Sequence, residues 1–272
     1  MGAHRSSRAS SPGVLDAVAA ETIVIPFNDP DALRQATERH ELAAILVEPY
    51  PANMGLVCPA AGFLQLLRER ADESGALLVF DEVISGFRVA RGGAQELAAV
   101  NPDLTIMGKV IGGGLPAAAY GGARELMRRI APAGDVYQAG TLSGNPLAVA
   151  AGLATLALLD GELPYRKLAA TTTALAQGLE DAAASAGRED IQIVTAPGLL
   201  TVFFSATPVC DYAHAQACDL DAYAAWCRGL LARGVYAPAS QFEAWFPSLA
   251  HTPEHVERTV AAAAAAFAEV PA

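Results

Sequence analysis

An aspartate and a lysine each follow a short apolar run in the middle of the sequence. Residues 76–80 are continuously apolar and end at Asp81, and residues 104–107 lead directly to Gly108 and Lys109. Continuous apolar runs are typical of parallel strands that are covered on both faces, and open α/β sheets bind ligands at the carboxyl ends of such strands. We therefore expect Asp81 and Lys109 to lie at the same edge of one sheet.

The lysine is unusual because the chain has only two, Lys109 and Lys167, among 272 residues. Schiff-base chemistry with a carbonyl needs an amine whose surroundings lower its pKa, and an apolar stretch bounded by glycines favours such an amine. An acid on the adjacent strand suits pyridoxal 5'-phosphate (PLP), whose pyridinium nitrogen needs a carboxylate partner. Taken alone, Asp81 is more often a turn or helix cap and Lys109 more often a solvated side chain. Together they favour a PLP site.

Longer strings surround these two residues. They are NMG at 53–55, DEVISGFRVARGGAQ at 81–95, GKVIGGGLP at 108–116, APAGDVYQAGTLSGNPLAVAAG at 131–152 and SQFEAWFPSLAHT at 240–252. These motifs resemble those of the class III PLP-dependent aminotransferase family. In detail they are similar to the motifs of the aminomutase branch of that family, whose members convert glutamate-1-semialdehyde to 5-aminolevulinate in tetrapyrrole (porphyrin) biosynthesis.

The resemblance implies a role for each matching residue. Lys109 would form the Schiff base with PLP and then carry protons, and Asp81 would pair with the pyridinium nitrogen. Val83 would pack on the ring face. Thr141 would reach the cofactor phosphate of the neighbouring subunit, which implies a homodimer. The cofactor would pass through its pyridoxamine 5'-phosphate form during the cycle.

Two further positions bear on the substrate. Asn53 stands where many transaminases of the family carry a glutamate near the cofactor. The region in which those enzymes carry a substrate-binding arginine has none here, and it offers Glu243 instead. An acid at that position would repel a dicarboxylate, so the resemblance favours amine exchange within one molecule. Glu243 could also be a solvated loop acid.

The expected fold is α/β, namely fold type I of the PLP-dependent transferases, with an incomplete parallel-sheet large domain and a small α+β C-terminal domain. We predict a disordered or linker segment over residues 1–20. The later part of the PLP-binding domain is expected over 21–160, and the small domain over 161–272.

Several element predictions follow from local patterns. Residues 21–26 and 43–47 are predicted strands, the second of them buried, and residues 117–122 are a further short strand. Residues 147–159 form a predicted helix that is apolar nearly all round, which is typical of a buried helix.

The composition and charge of the chain indicate which classes of binding partner are not expected. The formal net charge is −11, from 18 Lys and Arg against 29 Asp and Glu, and no long basic cluster occurs. Nucleic acid and anionic membrane surfaces are therefore not expected as partners. The four cysteines lack zinc-ligand spacing, so we expect no metal site and a reduced, cytoplasmic protein. No apolar run is long enough to span a membrane.

The resemblance covers only the later part of a family chain. The family's phosphate-cradling turn and its ring-stacking aromatic residue have no counterpart in residues 1–20. We therefore expect the chain alone to be poorly soluble or partly disordered near residues 1–20, and inactive even with excess PLP. Three hypotheses stay open: an aminomutase, a class III aminotransferase acting on another amine, and a non-catalytic partial chain.

Overall fold

The computed structural model describes residues 12–270, which form ten α-helices, six strands and one 3-10 helix. The helices are α1 Asp16–Ala20, α2 Pro30–Arg39, α3 Phe63–Ser74, α4 Gly93–Ala98, α5 Arg124–Met127, α6 Pro146–Leu158, α7 Leu163–Ser185, α8 Tyr212–Gln216, α9 Leu220–Ala232 and α10 Pro253–Glu269. The strands are β1 Ala44–Val47, β2 Leu77–Glu82, β3 Leu104–Met107, β4 Ala119–Gly122, β5 Ile191–Ala196 and β6 Leu199–Phe204, and the 3-10 helix is Lys109–Gly112.

The first four strands form one sheet in the order β1-β2-β3-β4. β1, β2 and β3 are parallel, and β4 runs antiparallel to β3. Helix α3 connects β1 to β2, and α4 lies between β2 and β3, as expected for parallel neighbours joined by helical crossovers. The pairing places Asp81 opposite Ile106.

Helices α2 and α3 cover one face of this sheet. Alternate residues of β2 point to that face, and the buried cluster there comprises Leu33, Phe63, Leu64, Leu67, Ala71, Leu78, Phe80 and Val100. The apolar spacing of α3 predicts this packing, because residues four apart along a helix lie on one side.

Two predictions of burial are wrong. β1 is the edge strand, and Leu46 is 64% exposed. Helix α6 forms as predicted, but only Ala148 and Gly152 of its residues are buried. The reason is the same in both cases. Among the described residues, no element covers the face of β1 that carries Leu46, and none covers most of α6.

The predicted N-terminal elements also differ from the structure. Residues 21–26 contain only a single bridge residue, Ile23, and no strand. An extended segment becomes a strand only when a neighbour pairs with its backbone, and Val24 is 62% exposed. The predicted linker contains helix α1 over Asp16–Ala20. Its first eleven residues lie outside the described residues.

The C-terminal part has its own core, formed by the β5-β6 hairpin and helices α7, α9 and α10. Trp226 is its centre, with the ring of Phe267 stacked at 4.8 Å and that of Trp245 at 5.8 Å between centroids. The boundary that we predict at residue 160 falls between α6 and α7, and the division into two domains stays a prediction.

Among residues 12–270 no single helix is long and apolar enough to cross a membrane. Helices α6 and α7 meet length and composition requirements only as a pair bent by 80°.

Candidate active site

The ends of two neighbouring parallel strands bring Asp81 and Lys109 to the same edge of the sheet. Asp81 lies near the end of β2, and its Oδ1 accepts a hydrogen bond of 3.0 Å from the backbone N–H of Val83. β3 ends at Met107, and Lys109 begins the 3-10 helix two residues later. The parallel pairing of β2 and β3 brings the two segments together.

The backbone of Lys109 has φ of 44°, in the left-handed region that non-glycine residues rarely adopt. Such a conformation costs about 1–2 kcal/mol and is common at functional sites. The sequence did not predict it. Lys109 is exposed at this edge. The preceding Gly108 is buried, and a Cβ there would lie 3.2 Å from Cγ1 of Val83. Val83 therefore packs against the backbone beside Lys109.

Glu82, next to Asp81, is a structural residue that the sequence analysis missed. It is 1% exposed, and its Oε2 accepts hydrogen bonds from Ser85 Oγ at 3.0 Å and from the N–H of Ala94 at 2.6 Å. Its Oε1 accepts from the N–H of Gln95 at 3.2 Å and from Gln95 Nε2 at 3.0 Å. Glu82 thus fixes the 85–95 loop to the strand that carries Asp81. The alternation of side chains along β2 was the signal that could have separated the two acids.

Asn53 and Glu243 lie on segments that contact each other. The N–H of Gly55 donates to the carbonyl of Phe242 at 2.7 Å. Thr201 Oγ1 accepts from the N–H of Leu56 at 2.9 Å and donates to the carbonyl of Glu243 at 3.5 Å.

Their side chains have different surroundings. Asn53 Nδ2 donates to both carboxylate oxygens of Glu48, at 3.3 and 3.4 Å. Glu243 is exposed and lines a cavity of about 530 Å³ between α7, α10 and residues 235–247. Glu48, which directly follows β1, therefore orients the side chain of Asn53.

Arg88 connects the 85–95 loop to the segments that contain Gly198 and Pro247. Its Nη1 donates to the carbonyls of Gly198 at 3.1 Å and Pro247 at 3.2 Å, and its guanidinium lies 5.1 Å from the centroid of the Phe246 ring. Burial lowers the pKa of Arg88. The 85–95 loop is thereby attached both to β2, through Glu82, and to the segment that follows Glu243.

Thr141 is exposed in the turn that precedes α6. In this turn Ser143 N–H donates to Gly140 O at 3.0 Å, and Asn145 Oδ1 caps α6 by accepting from the N–H of Ala148 at 3.0 Å. Helix α6 packs closely on the 3-10 helix. A Cβ at residue 152 would lie 2.2 Å from the carbonyl oxygen of Ile111.

The model of the class-III aminotransferase family matches residues 1–260 of the sequence. The chain belongs to this family. A glutamate-1-semialdehyde 2,1-aminomutase from Desulforudis audaxviator is 53% identical over 95% of this chain and 60% of its own length. The enzyme of the same name from Syntrophobacter fumaroxidans is 52% identical over 96% and 60%. The chain thus spans about 60% of the length of these curated relatives.

Solved structures of class III enzymes share the fold. An omega-transaminase from Sphaerobacter thermophilus has a TM-score of 0.89 at 33% identity, over 96% of this chain and 60% of its own. A glutamate-1-semialdehyde-aminomutase from Pseudomonas aeruginosa in complex with PMP has a TM-score of 0.84 at 26% identity, over 96% and 60%. The expected α/β fold of the PLP-dependent class III enzymes is confirmed, with a mixed sheet in place of a purely parallel one.

The groups at the sheet edge fit the class III cofactor chemically. Lys109 supplies an exposed primary amine, and Asp81 a carboxylate on the adjacent strand. Val83 adds an apolar side chain that packs on Gly108, between these two positions in the chain. An aldehyde, a ring nitrogen and a ring face need such a set of partners.

Proposed function

We propose that this chain forms the lysine-bearing part of a PLP-dependent aminomutase, an isomerase that converts glutamate-1-semialdehyde to 5-aminolevulinate for tetrapyrrole biosynthesis. The observation that carries the proposal is the placement of Asp81 and Lys109 at one sheet edge by two adjacent parallel strands. The sequence identity of 53% to an aminomutase supports the choice of reaction.

Each residue has a distinct task. Bound PLP supplies an aldehyde that captures amines and a pyridinium ring that withdraws electrons from adjacent C–H bonds. The primary amine of Lys109 would hold that aldehyde and would serve as the base and acid that moves protons on the substrate carbons. The carboxylate of Asp81 would pair with the ring nitrogen, and Val83 would pack on the ring face.

Thr141 acts on the partner subunit in this proposal. Its hydroxyl lies exposed in a turn next to α6, where a donor can reach a phosphate held by the neighbouring copy of the enzyme. The proposed assembly is a cytoplasmic homodimer in which each site contains residues of both subunits.

Substrate choice depends on Asn53 and Glu243. The amide of Asn53 is neutral where a glutamate would be charged, and it is held by Glu48. The carboxylate of Glu243 disfavours a second substrate carboxylate in its vicinity. These two residues would favour a substrate whose amine is exchanged within one molecule, so no external keto acid would be needed.

The test is reductive labelling. Protein incubated with PLP is reduced with borohydride and digested, and mass spectrometry locates the pyridoxyl group. We expect the label on Lys109 and its loss in Lys109→Ala. Lys167→Ala is the matched control, because Lys167 donates to the carbonyl of Leu249 far along the chain. A label that remains on Lys167 would contradict the assignment.

A second candidate is a class III aminotransferase with another amine substrate, which the TM-score of 0.89 to an omega-transaminase favours. The assembled enzyme is given glutamate-1-semialdehyde, or an amine with 2-oxoglutarate. Faster transfer to 2-oxoglutarate than formation of 5-aminolevulinate would support the aminotransferase. A third candidate is a non-catalytic partial chain, which the 60% coverage favours. It predicts no cofactor retention in either assay.

A further inference from the structure

Helix α10 begins with a cap that contains a histidine. Thr252 is the N-cap, and its Oγ1 accepts a hydrogen bond of 3.4 Å from the N–H of His255. In return, Nδ1 of His255 accepts from the N–H of Thr252 at 3.1 Å. A reciprocal capping box of this kind normally uses Glu or Gln at the third helical position. Histidine is the side chain that changes its charge between about pH 5 and pH 8. The cap of α10 therefore depends on a group that titrates near neutral pH.

A second histidine holds the turn that leads to this cap. Nδ1 of His251 accepts from the N–H of Ser248 at 2.9 Å and lies 3.0 Å from Ser248 Oγ. The rings of His251 and His255 lie edge to face, with 6.0 Å between their centroids. A ring nitrogen accepts a hydrogen bond only while it carries no proton. The geometry therefore requires both rings to be neutral, with their proton on Nε2.

The start of α10 gains less from packing than its end. The buried residues of this helix all lie in its second half, and they are Ala262, Ala263, Ala266 and Phe267. In the first half, Val256 and Val260 are only partly buried. The first N–H groups of a helix have no partner within it, so the cap stabilises this end. Loss of the cap should loosen residues 248–256 and leave the second half of the helix folded.

Charged and titratable groups surround the two rings on three elements. Both rings line the cavity of about 530 Å³ to which residues 235–247 contribute Glu243 and Tyr236. On α7, Lys167 donates to a backbone carbonyl of the same turn at 3.2 Å, and α10 itself carries Glu254 and Arg258. Tyr236 is uncharged at neutral pH and below. The two acids favour a positive charge on the rings and the two bases oppose it. The backbone hydrogen bonds therefore decide which form of the rings the fold favours.

We propose that His251 and His255 form an acid-sensitive latch at the start of α10, which we call the histidine latch. At neutral pH both rings accept backbone hydrogen bonds and hold residues 248–255 in place. As the pH falls through the range in which histidine takes up a proton, both Nδ1 atoms become donors and release the N–H groups. The stabilisation is therefore present at neutral pH and disappears in mild acid.

The histidine latch lies next to a segment that Arg88 holds. Nη1 of Arg88 donates to the carbonyl of Pro247, directly before Ser248. Residues of this segment and both histidines border the same cavity. Mild acid should therefore loosen the rim of the cavity. The inference goes beyond the proposed function, because it requires neither a cofactor nor aminomutase activity.

Hydrogen exchange, measured by mass spectrometry on the 272-residue chain, tests the histidine latch. Protection factors are compared at about pH 7.5 and about pH 5.0, after correction for the intrinsic pH dependence of exchange. We expect the protection of residues 248–256 to fall by about two- to tenfold at the lower pH, as the loss of a backbone hydrogen bond predicts, while residues 262–267 keep theirs. Nitrogen-15 NMR of histidine-labelled protein should show the Nε2–H tautomer for both rings at the higher pH.

A double variant separates the latch from other effects of acid. The amide oxygen of Asn stands where Nδ1 of histidine does along the side chain, but it does not titrate. In His251→Asn with His255→Asn, the protection of residues 248–256 should therefore be equal at both pH values. His40→Asn is the matched control, since His40 is an exposed histidine at the end of α2. It should leave the acid-induced loss unchanged. His255→Ala removes the acceptor and should lower the protection at both pH values.

Four outcomes would overturn the inference. The first is equal protection of residues 248–256 at both pH values in the unaltered chain. The second is an acid-induced loss that the double Asn variant retains. The third is a loss that extends equally over α7, α9 and the second half of α10, which would report general unfolding. The fourth is an Nδ1–H tautomer of either ring at the higher pH.

Discussion

Removing the buried carboxylate of Glu82 should destabilise the chain strongly. Glu82→Ala leaves the N–H groups of Ala94 and Gln95 without their acceptor in a site that is 1% exposed. An unsatisfied buried donor costs about 1–3 kcal/mol, and Glu82→Ala leaves two backbone donors in this state. We expect a loss of about 2–6 kcal/mol. Glu82→Gln, which keeps one acceptor oxygen, should lose about 1–3 kcal/mol.

Urea unfolding of each variant measures this effect, because a lower midpoint at constant slope reports lower stability. Native-state hydrogen exchange at residues 94 and 95 shows whether the loss is local to the 85–95 loop. Glu257→Ala is the control, since it removes the same charge from an exposed position on α10. If the midpoints of Glu82→Ala and Glu257→Ala agreed within error, the hydrogen bonds to Glu82 would not stabilise the fold.

Two further predictions concern other positions. Gly152→Ala should destabilise the fold by about 1–3 kcal/mol through overpacking, because the added Cβ would lie 2.2 Å from the carbonyl oxygen of Ile111. Urea unfolding measures the loss of stability, and labelling of Lys109 by PLP should decrease with it. Burial alone would raise the pKa of Asp103, but its hydrogen bonds from Arg68 and the N–H of Leu78 lower the pKa below its usual range. Its stabilisation is therefore present at neutral pH and disappears as the pH falls through the acid range, so Asp103→Asn should lower the urea midpoint at neutral pH and leave it nearly unchanged in acid.

The sheet could be predicted where local pattern and pairing agree. β3 spans the predicted residues 104–107, and α6 spans Pro146–Leu158 where residues 147–159 are predicted, with Asn145 as its cap. These elements are determined by residues within or beside them, since an Asn side chain caps a helix locally. Residues 21–26 have a similar apolar pattern but form only a single bridge, at Ile23, so the pattern alone was insufficient.

The site could be predicted only in part. Asp81 and Lys109 could be predicted, because one run of residues ends directly before Asp81 and another ends at Met107, with only Gly108 before Lys109. Three other features could not be predicted. They are the left-handed backbone of Lys109, the attachment of the 85–95 loop by Glu82, and the contacts of Arg88 with residues 110 and 159 positions further along the chain. Such features depend on segments far apart in sequence, which no local periodicity reports.

Helix α6 shows what an apolar pattern does and does not predict. Its residues are apolar nearly all round, which indicates that its surface is covered in the assembled protein. The pattern does not specify whether the cover comes from the same part of the chain, and residues 12–270 leave Leu147, Leu153 and Leu158 exposed. An apolar pattern therefore predicts the composition and the extent of a helix, but it does not predict how much of that helix the described residues bury.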